Sequence, residues 1–146
     1  MKKRIKPEPG QESVWDYPRP PKLEATSHHI RVVFNGIIIV ETSNSYRVLE
    51  TSHPPVYYFP PTDIKQEFIH KSKARQTSCE FKGIATYWDV KTTTKESLMA
   101  AWSYINPNDK FRLIKDYLAF YPSKVDACYV NDELVQAQEG DFYGGW

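Results

Sequence analysis

Three side chains that could do acid–base chemistry follow one another at three-residue intervals, at Arg47, Glu50 and His53. Histidine is the side chain most easily tuned to exchange a proton near neutral pH, and Glu50 could orient its ring. The guanidinium of Arg47 could bind a carboxylate or phosphate through two N–H groups. The same spacing also suits an Arg47–Glu50 ion pair, with His53 hydrogen-bonded in a turn before Pro54.

A second candidate lies at Cys79, Lys82 and Gly83. Lys82 is a point charge suited to an anionic ligand, and Gly83 allows a close approach of the backbone. Cys79 would be a nucleophile only if a neighbouring cation lowered the pKa of its thiol. The alternative is a turn glycine, a surface lysine and a small buried cysteine.

Aromatic residues make up 14% of the chain. Small-ligand pockets are commonly walled by aromatic rings with a few polar groups, and Tyr57, Trp88, Trp102 and Tyr104 could form such walls. They could equally form the core, although each buried indole N–H would then need a hydrogen-bond acceptor. Strand alternation places Trp88 and Trp102 in neighbouring strands and allows them to share a face.

Potential metal ligands are scattered along the sequence. The adjacent residues His28 and His29 would point to opposite faces of a strand, and the chain contains no C-x-x-C pair. No glycine-rich phosphate-binding loop is present either. We therefore predict no metal site and no cofactor, although the chain does contain potential donors at His28, His29, Glu50, His53, Asp63 and His70.

Charge and hydropathy restrict the partners. The net charge of +1 argues against nucleic acid, and no apolar run approaches the ~18 residues of a membrane span. The basic start is followed by Pro and Glu rather than an apolar stretch, so we predict no signal peptide and a cytoplasmic protein. Residues 1–12 are predicted to be a flexible basic tail and residues 13–146 a single β-rich domain, and the sequence does not fix the oligomeric state.

Several segments alternate between apolar and polar residues and predict short strands. Asn35-Gly36 between two such runs predicts a tight hairpin, because a type I′ turn needs positive φ at both positions. Further strands are predicted at 45–49, 55–59 and 63–70. Two more hairpins are predicted, one from residues 84–90 and 98–102, the other from residues 125–130 and 133–138 across Asn131-Asp132.

One helix is predicted after Asn106, a favourable N-cap, with Pro107 at its first position and Pro122 ending it. The fold class that follows is mainly β (α+β), with antiparallel sheets and one main helix packed on them. The apolar residues at helical spacing are Phe111, Ile114, Tyr117, Leu118 and Tyr121.

Several longer motifs together resemble a bacterial family, the domain of unknown function 427. They are Ser-Val-Trp-Asp-Tyr-Pro-Arg-Pro-Pro at 13–21, Arg-Val-Leu-Glu-Thr-Ser-His-Pro-Pro-Val-Tyr-Tyr-Phe-Pro at 47–60, Cys-Glu-Phe-Lys-Gly-Ile-Ala-Thr-Tyr-Trp at 79–88, Ala-Trp-Ser-Tyr at 101–104, Tyr-Leu-Ala-Phe-Tyr-Pro at 117–122, Val-Asp-Ala at 125–127 and Phe-Tyr-Gly-Gly-Trp at 142–146.

The resemblance implies a compact β-tent-like fold and no established activity. A nucleotidyltransferase label is sometimes attached to the family, but this chain lacks the Gly-Ser motif and paired acidic residues of such enzymes. Many β-tent relatives hold zinc with two C-x-x-C knuckles. Here only the isolated Cys79 and Cys128 occur, which departs from that pattern.

These patterns lead to three hypotheses. The first is a domain that binds an anionic small molecule, a phosphate or a carboxylate, in an aromatic-walled pocket with Arg47 and Lys82 as polar contacts. The second is an enzyme in the same pocket, with His53 as general acid or base, Glu50 holding it and Lys82 stabilising negative charge. The third is a protein-interaction module that uses the Pro-rich segment 15–21 or the aromatic residues 142–146.

Overall fold

The computed structural model describes residues 22–49, 55–73, 76–79, 83–136 and 146, with only the backbone at 78 and 79. Every strand pairing among them is antiparallel, so the predicted mainly β class is confirmed. The strands are β1 (Lys22–Thr26), β2 (Ile30–Phe34), β3 (Ile37–Thr42), β4 (Ser45–Leu49), β5 (Val56–Tyr58), β6 (Ile69–Lys71), β7 (Thr77–Cys79), β8 (Gly83–Lys91), β9 (Glu96–Tyr104), β10 (Leu118–Phe120), β11 (Ala127–Val130) and β12 (Glu133–Leu134).

The strands form three sheets. The first has the order β1-β4-β5, the second β10-β9-β8-β6 with β7 also paired to β8, and the third β12-β11-β2-β3. Phe59 and Leu118 join the first two sheets, because each backbone N–H donates to the other residue's carbonyl, at 2.8 and 3.0 Å. The edge strand β5 of the first sheet is therefore held, through Phe59, against the edge strand β10 of the second.

The predicted hairpin turns are confirmed where the backbone requires positive φ. Asn35 and Gly36 have φ of 51° and 74°, and Asn131 and Asp132 have φ of 49° and 68°. Asn, Asp and Gly tolerate this region better than other residues, which is why they occupy two-residue hairpin loops. The longer hairpin of β8 and β9 is also present.

The extent of the predicted helix is wrong. The helical segment is a short 3₁₀ helix, Asp109–Ile114, that buries Phe111 and Ile114. Asp116 then adopts φ of 64°, and the chain returns as β10, in which Leu118 pairs with Ser103. The open edge of β9 satisfies the backbone of β10, and this tertiary pairing overrides the local helical pattern.

The predicted strand at 63–70 is also mostly wrong. Two 3₁₀ turns occupy Pro61–Asp63 and Gln66–Phe68, Ile64 forms an isolated bridge with Val40, and only the end of the segment belongs to a strand, Ile69–Lys71. Pro at the start of the first turn suits 3₁₀ geometry, because its φ is preset and its missing N–H is not required there.

Two apolar clusters fill the space between the sheets, and β5 contributes to both. Tyr57 packs in the first cluster with Phe59 and Phe120, whereas Tyr58 packs in the second with Trp102. Successive side chains of a strand point to opposite faces, so β5 is buried on both sides. Strand β5 consequently lies between the two clusters.

Candidate functional site

Arg47 of the predicted site is already paired. Its Nε and Nη2 donate to Oε1 of Glu24 at 2.9 and 2.8 Å, and the register of β1 and β4 places the two residues opposite one another. The Arg47 side chain is only 11% exposed. Its charge is thus engaged inside the sheet, with Glu24 as one partner. Glu50 lies outside the described residues, so its predicted pairing with Arg47 stays a prediction.

The two predicted tryptophan walls lie on opposite faces of the second sheet. Tyr87 is directly opposite Trp102 and shares its face, so the next residue, Trp88, points the other way. The indole of Trp88 donates to Ser103 Oγ at 2.8 Å, and the indole of Trp102 donates to Tyr58 Oη at 3.3 Å. The expectation that they share one face is wrong, and both N–H groups have acceptors within the protein.

Tyr57 and Tyr104, the other predicted walls, are each 5% exposed and belong to different clusters. The ring of Tyr57 lies 5.4 Å from that of Trp146, and the ring of Tyr104 lies 6.3 Å from that of Tyr58. Tyr57, Trp102 and Tyr104 are therefore buried in the core, Trp88 is half-buried against it, and the four residues do not line one shared pocket.

The predicted catalytic residues His53, Glu50 and Lys82 lie outside the described residues, as does the side chain of Cys79. Their roles stay predictions. Among the side chains that the structure places, no three His, Cys, Asp or Glu residues are grouped so as to hold a metal ion. No helix in the described part of the chain has the length and apolarity to cross a membrane.

An open cleft of about 490 Å³ lies elsewhere, at the ends of β1 and β4. We call it the hydroxyl cleft, because six of the eight described residues that line it carry a hydroxyl group. The other two are Ala25 and Asn44. The hydroxyl-bearing residues are Thr26, Ser27, Ser43, Ser45, Tyr46 and Tyr117.

Strand register and one short hydrogen-bond chain shape the cleft. Thr26, the last residue of β1, lies directly opposite Ser45, the first residue of β4. The turn between β3 and β4 is held by Thr42, whose Oγ1 donates to Asp63 Oδ2 at 2.6 Å and accepts the backbone N–H of Asn44 at 3.0 Å. Thr42 is 4% exposed, so this bond is shielded from water and fixes the turn firmly.

Tyr46 and Tyr117 form the aromatic part of the cleft. Their ring centroids lie 5.7 Å apart with the planes inclined at 50°. Burial raises the pKa of Tyr117 above its ordinary value, and electrostatic interactions with Tyr46 and Asp63 raise it further. The Tyr117 phenol therefore keeps its proton at neutral pH and can donate as well as accept a hydrogen bond.

Ser45 is the buried member of the lining, at 2% exposed. Its Oγ has no hydrogen-bond partner among the described residues. A buried hydroxyl without a partner costs about 1–3 kcal/mol, so such groups are rare and need an explanation. Because Ser45 is one of the residues that line the cleft, this unsatisfied group lies in the cleft wall.

The sequence prediction missed this cleft. Its signal is present in two polar runs at strand ends, Thr26-Ser27 and residues 42–45, which are Thr-Ser-Asn-Ser. Such runs are also typical of ordinary turns, because Ser, Thr and Asn hydrogen-bond to nearby backbone. Tyr117 was assigned to the helix, so nothing in the sequence pattern brought it toward the β1–β4 pair.

The fold and cleft define a small, mainly β domain built from antiparallel sheets around two cores. The family model described as a domain of unknown function, DUF427, matches residues 22–131. The match covers most of the chain and the whole cleft lining, so the chain belongs to this family. The resemblance seen in the sequence motifs is thereby confirmed. No curated protein matches the chain.

Proposed function

We propose that the domain binds a small molecule in the hydroxyl cleft. The observation that carries the proposal is the Oγ of Ser45, buried in the cleft lining without a hydrogen-bond partner among the described residues. Folding leaves this group unsatisfied at a free-energy cost, and a bound molecule would relieve it.

The size and composition of the cleft support the same function. A volume of about 490 Å³ lies inside the ~300–1,000 Å³ range of small-molecule sites. Such sites combine ring surfaces with a few polar groups, and here the rings of Tyr46 and Tyr117 adjoin four aliphatic hydroxyls. The hydrogen bonds around Thr42 hold the turn in place before a ligand arrives, which lowers the ordering cost of binding.

The direct test is to look for a ligand retained by the protein. Native mass spectrometry of the purified chain is expected to show a bound small molecule, or a thermal-shift panel is expected to identify one. A ligand at 100 times its dissociation constant adds about 2.7 kcal/mol to the free energy of unfolding. Ser45→Ala should abolish the retained mass or the shift.

Thr93→Ala is the matched control, because Thr93 is exposed in the turn between β8 and β9 and does not line the cleft. It should behave as wild type. Binding that survives Ser45→Ala unchanged would show that the ligand sits elsewhere, and the cleft would then have no role in function.

A further inference from the structure

We infer that the ligand of the hydroxyl cleft is an uncharged, hydroxyl-rich ring molecule of the sugar or cyclitol class. This inference rests on the small-molecule function proposed above, and it replaces the anionic ligand expected from Arg47 and Lys82. It follows from the charge around the cleft, the hydrogen-bonding capacity of its lining and its two rings.

The charge around the cleft disfavours an anion. None of the eight described residues that line the cleft is Lys, Arg, His, Asp or Glu. Arg47, further along β4, donates to Glu24, and Asp63 raises the pKa of Tyr117 and so brings negative charge to this side of the cleft. A phosphate or carboxylate entering the cleft would lose hydration with no cation among these described residues to compensate.

A cation is disfavoured by the same lining. It would need a facing carboxylate, and the acidic group that acts on the cleft, Asp63, is not among the residues that line it. That carboxylate already accepts the hydroxyl proton of Thr42 at 2.6 Å. A neutral molecule loses the least hydration energy on entering this site.

Hydroxyl groups are the appropriate partners for ligand hydroxyls, because each can donate one hydrogen bond and accept others. Ser45 Oγ has both capacities unused toward the described residues. Thr26 Oγ1 accepts the backbone N–H of His28 at 3.2 Å, so its own proton remains available to a ligand. Tyr117 retains its proton for the reason given above. A ligand with several hydroxyls can offer each of these three side chains a hydrogen-bond partner of its own.

The two rings account for a ring-shaped ligand. Tyr46 and Tyr117 pack against each other, with centroids 5.7 Å apart and planes inclined at 50°, and both line the cleft, so together they form an apolar part of its wall. Sugars and cyclitols have C–H faces that can pack on such surfaces while their hydroxyls point to the polar side of the cleft. An open-chain polar molecule would leave these faces in contact with water.

The test uses matched neutral and charged probes, measured by shifts of the backbone amide signals of the wild-type chain in NMR titrations. The neutral probes are myo-inositol, glucose and methyl glucoside, and their charged counterparts are myo-inositol phosphate, glucose 6-phosphate and methyl glucuronide. The neutral members should shift the amides of Ser27, Asn44 and Tyr46 and bind at least about tenfold more tightly than their charged counterparts.

Two variants assign the binding to the cleft. Ser45→Ala and Tyr117→Phe should each weaken the neutral probes several-fold, since each removes one hydroxyl while keeping the surrounding packing. Thr93→Ala should leave their affinity unchanged. Because Tyr117→Phe keeps the ring, a loss there identifies the phenol as a hydrogen-bond partner.

The outcomes separate the inference from the proposed function. If a charged member binds the cleft more tightly and depends on Ser45, the ligand class is wrong and the small-molecule function stands. If no neutral probe shifts the cleft amides, the inference is overturned. The proposed function is then judged by the retained-ligand experiment, which presupposes no ligand class.

Discussion

Replacing Ser45 by alanine should stabilise the unliganded protein. Its Oγ is buried and has no partner among the described residues, so removing it deletes an unsatisfied group at the cost of one small atom. A buried unsatisfied hydroxyl costs about 1–3 kcal/mol, and packing loss offsets part of that. We expect a net gain of roughly 0.5–2 kcal/mol in the free energy of unfolding.

Ser103 provides the matched comparison. It is also buried, at 1% exposed, but its Oγ accepts the indole N–H of Trp88 at 2.8 Å. Ser103→Ala leaves that N–H without its acceptor and should cost about 1–2 kcal/mol. The same chemical change is thus expected to have opposite signs at two buried serines.

The assay is urea unfolding of the wild type and both variants in ligand-free buffer, with thermal midpoints as a second measure. A change of 1 kcal/mol should move the midpoint by roughly 2–4 °C in a chain of about this size. If Ser45→Ala destabilises the protein as much as Ser103→Ala, the Ser45 hydroxyl has a structural partner. The Ser45 hydroxyl would then need no ligand to satisfy it.

Three further predictions concern ionisable groups. Burial raises the pKa of the Cys128 thiol, so in a Cys79→Ser variant iodoacetamide should label the native protein only as fast as it unfolds; rapid labelling would contradict its burial. A hydrogen bond from Lys95 lowers the pKa of Asp126, so this carboxylate stabilises the fold above its ordinary pKa, and that contribution is lost as the pH falls through the folded-state pKa. Asp126→Asn should therefore cost ~0.5–1 kcal/mol at neutral pH, shrinking below about pH 4 in urea titrations, and a pH-independent cost would refute the ion pair. The phenol of Tyr117 should ionise above 10.0, as the ultraviolet difference between the titrations of wild type and Tyr117→Phe would show; ionisation at or below that value would contradict its burial in the cleft wall.

Local chemistry made much of the β architecture predictable. The turns at Asn35-Gly36 and Asn131-Asp132 need positive φ, which few other residues tolerate, and alternation of apolar residues marks the flanking strands. The helix could not be bounded in this way. The apolar spacing of residues 111–121 fits a helix, but an open strand edge on β9 satisfies the backbone of β10 better than a helix would.

In the candidate site, too, the sequence predicted the types of residue, whereas the strand pairing decided their positions. Sequence spacing identified aromatic residues but not their direction, and a register that places Tyr87 opposite Trp102 sends Trp88 to the other face. Sequence likewise offered Arg47 as a ligand contact, whereas strand pairing set it opposite Glu24.

What the sequence by itself determined is the class of fold, the hairpin turns and the family, because these depend on residues that are neighbours in the chain. The hydroxyl cleft was decided only by the tertiary structure. Its lining comes from the ends of β1 and β4, the β3–β4 turn and the distant Tyr117. In the sequence, polar residues at strand ends are indistinguishable from those of ordinary turns. Only the packing shows that one of them, Ser45, is buried with no hydrogen-bond partner among the described residues.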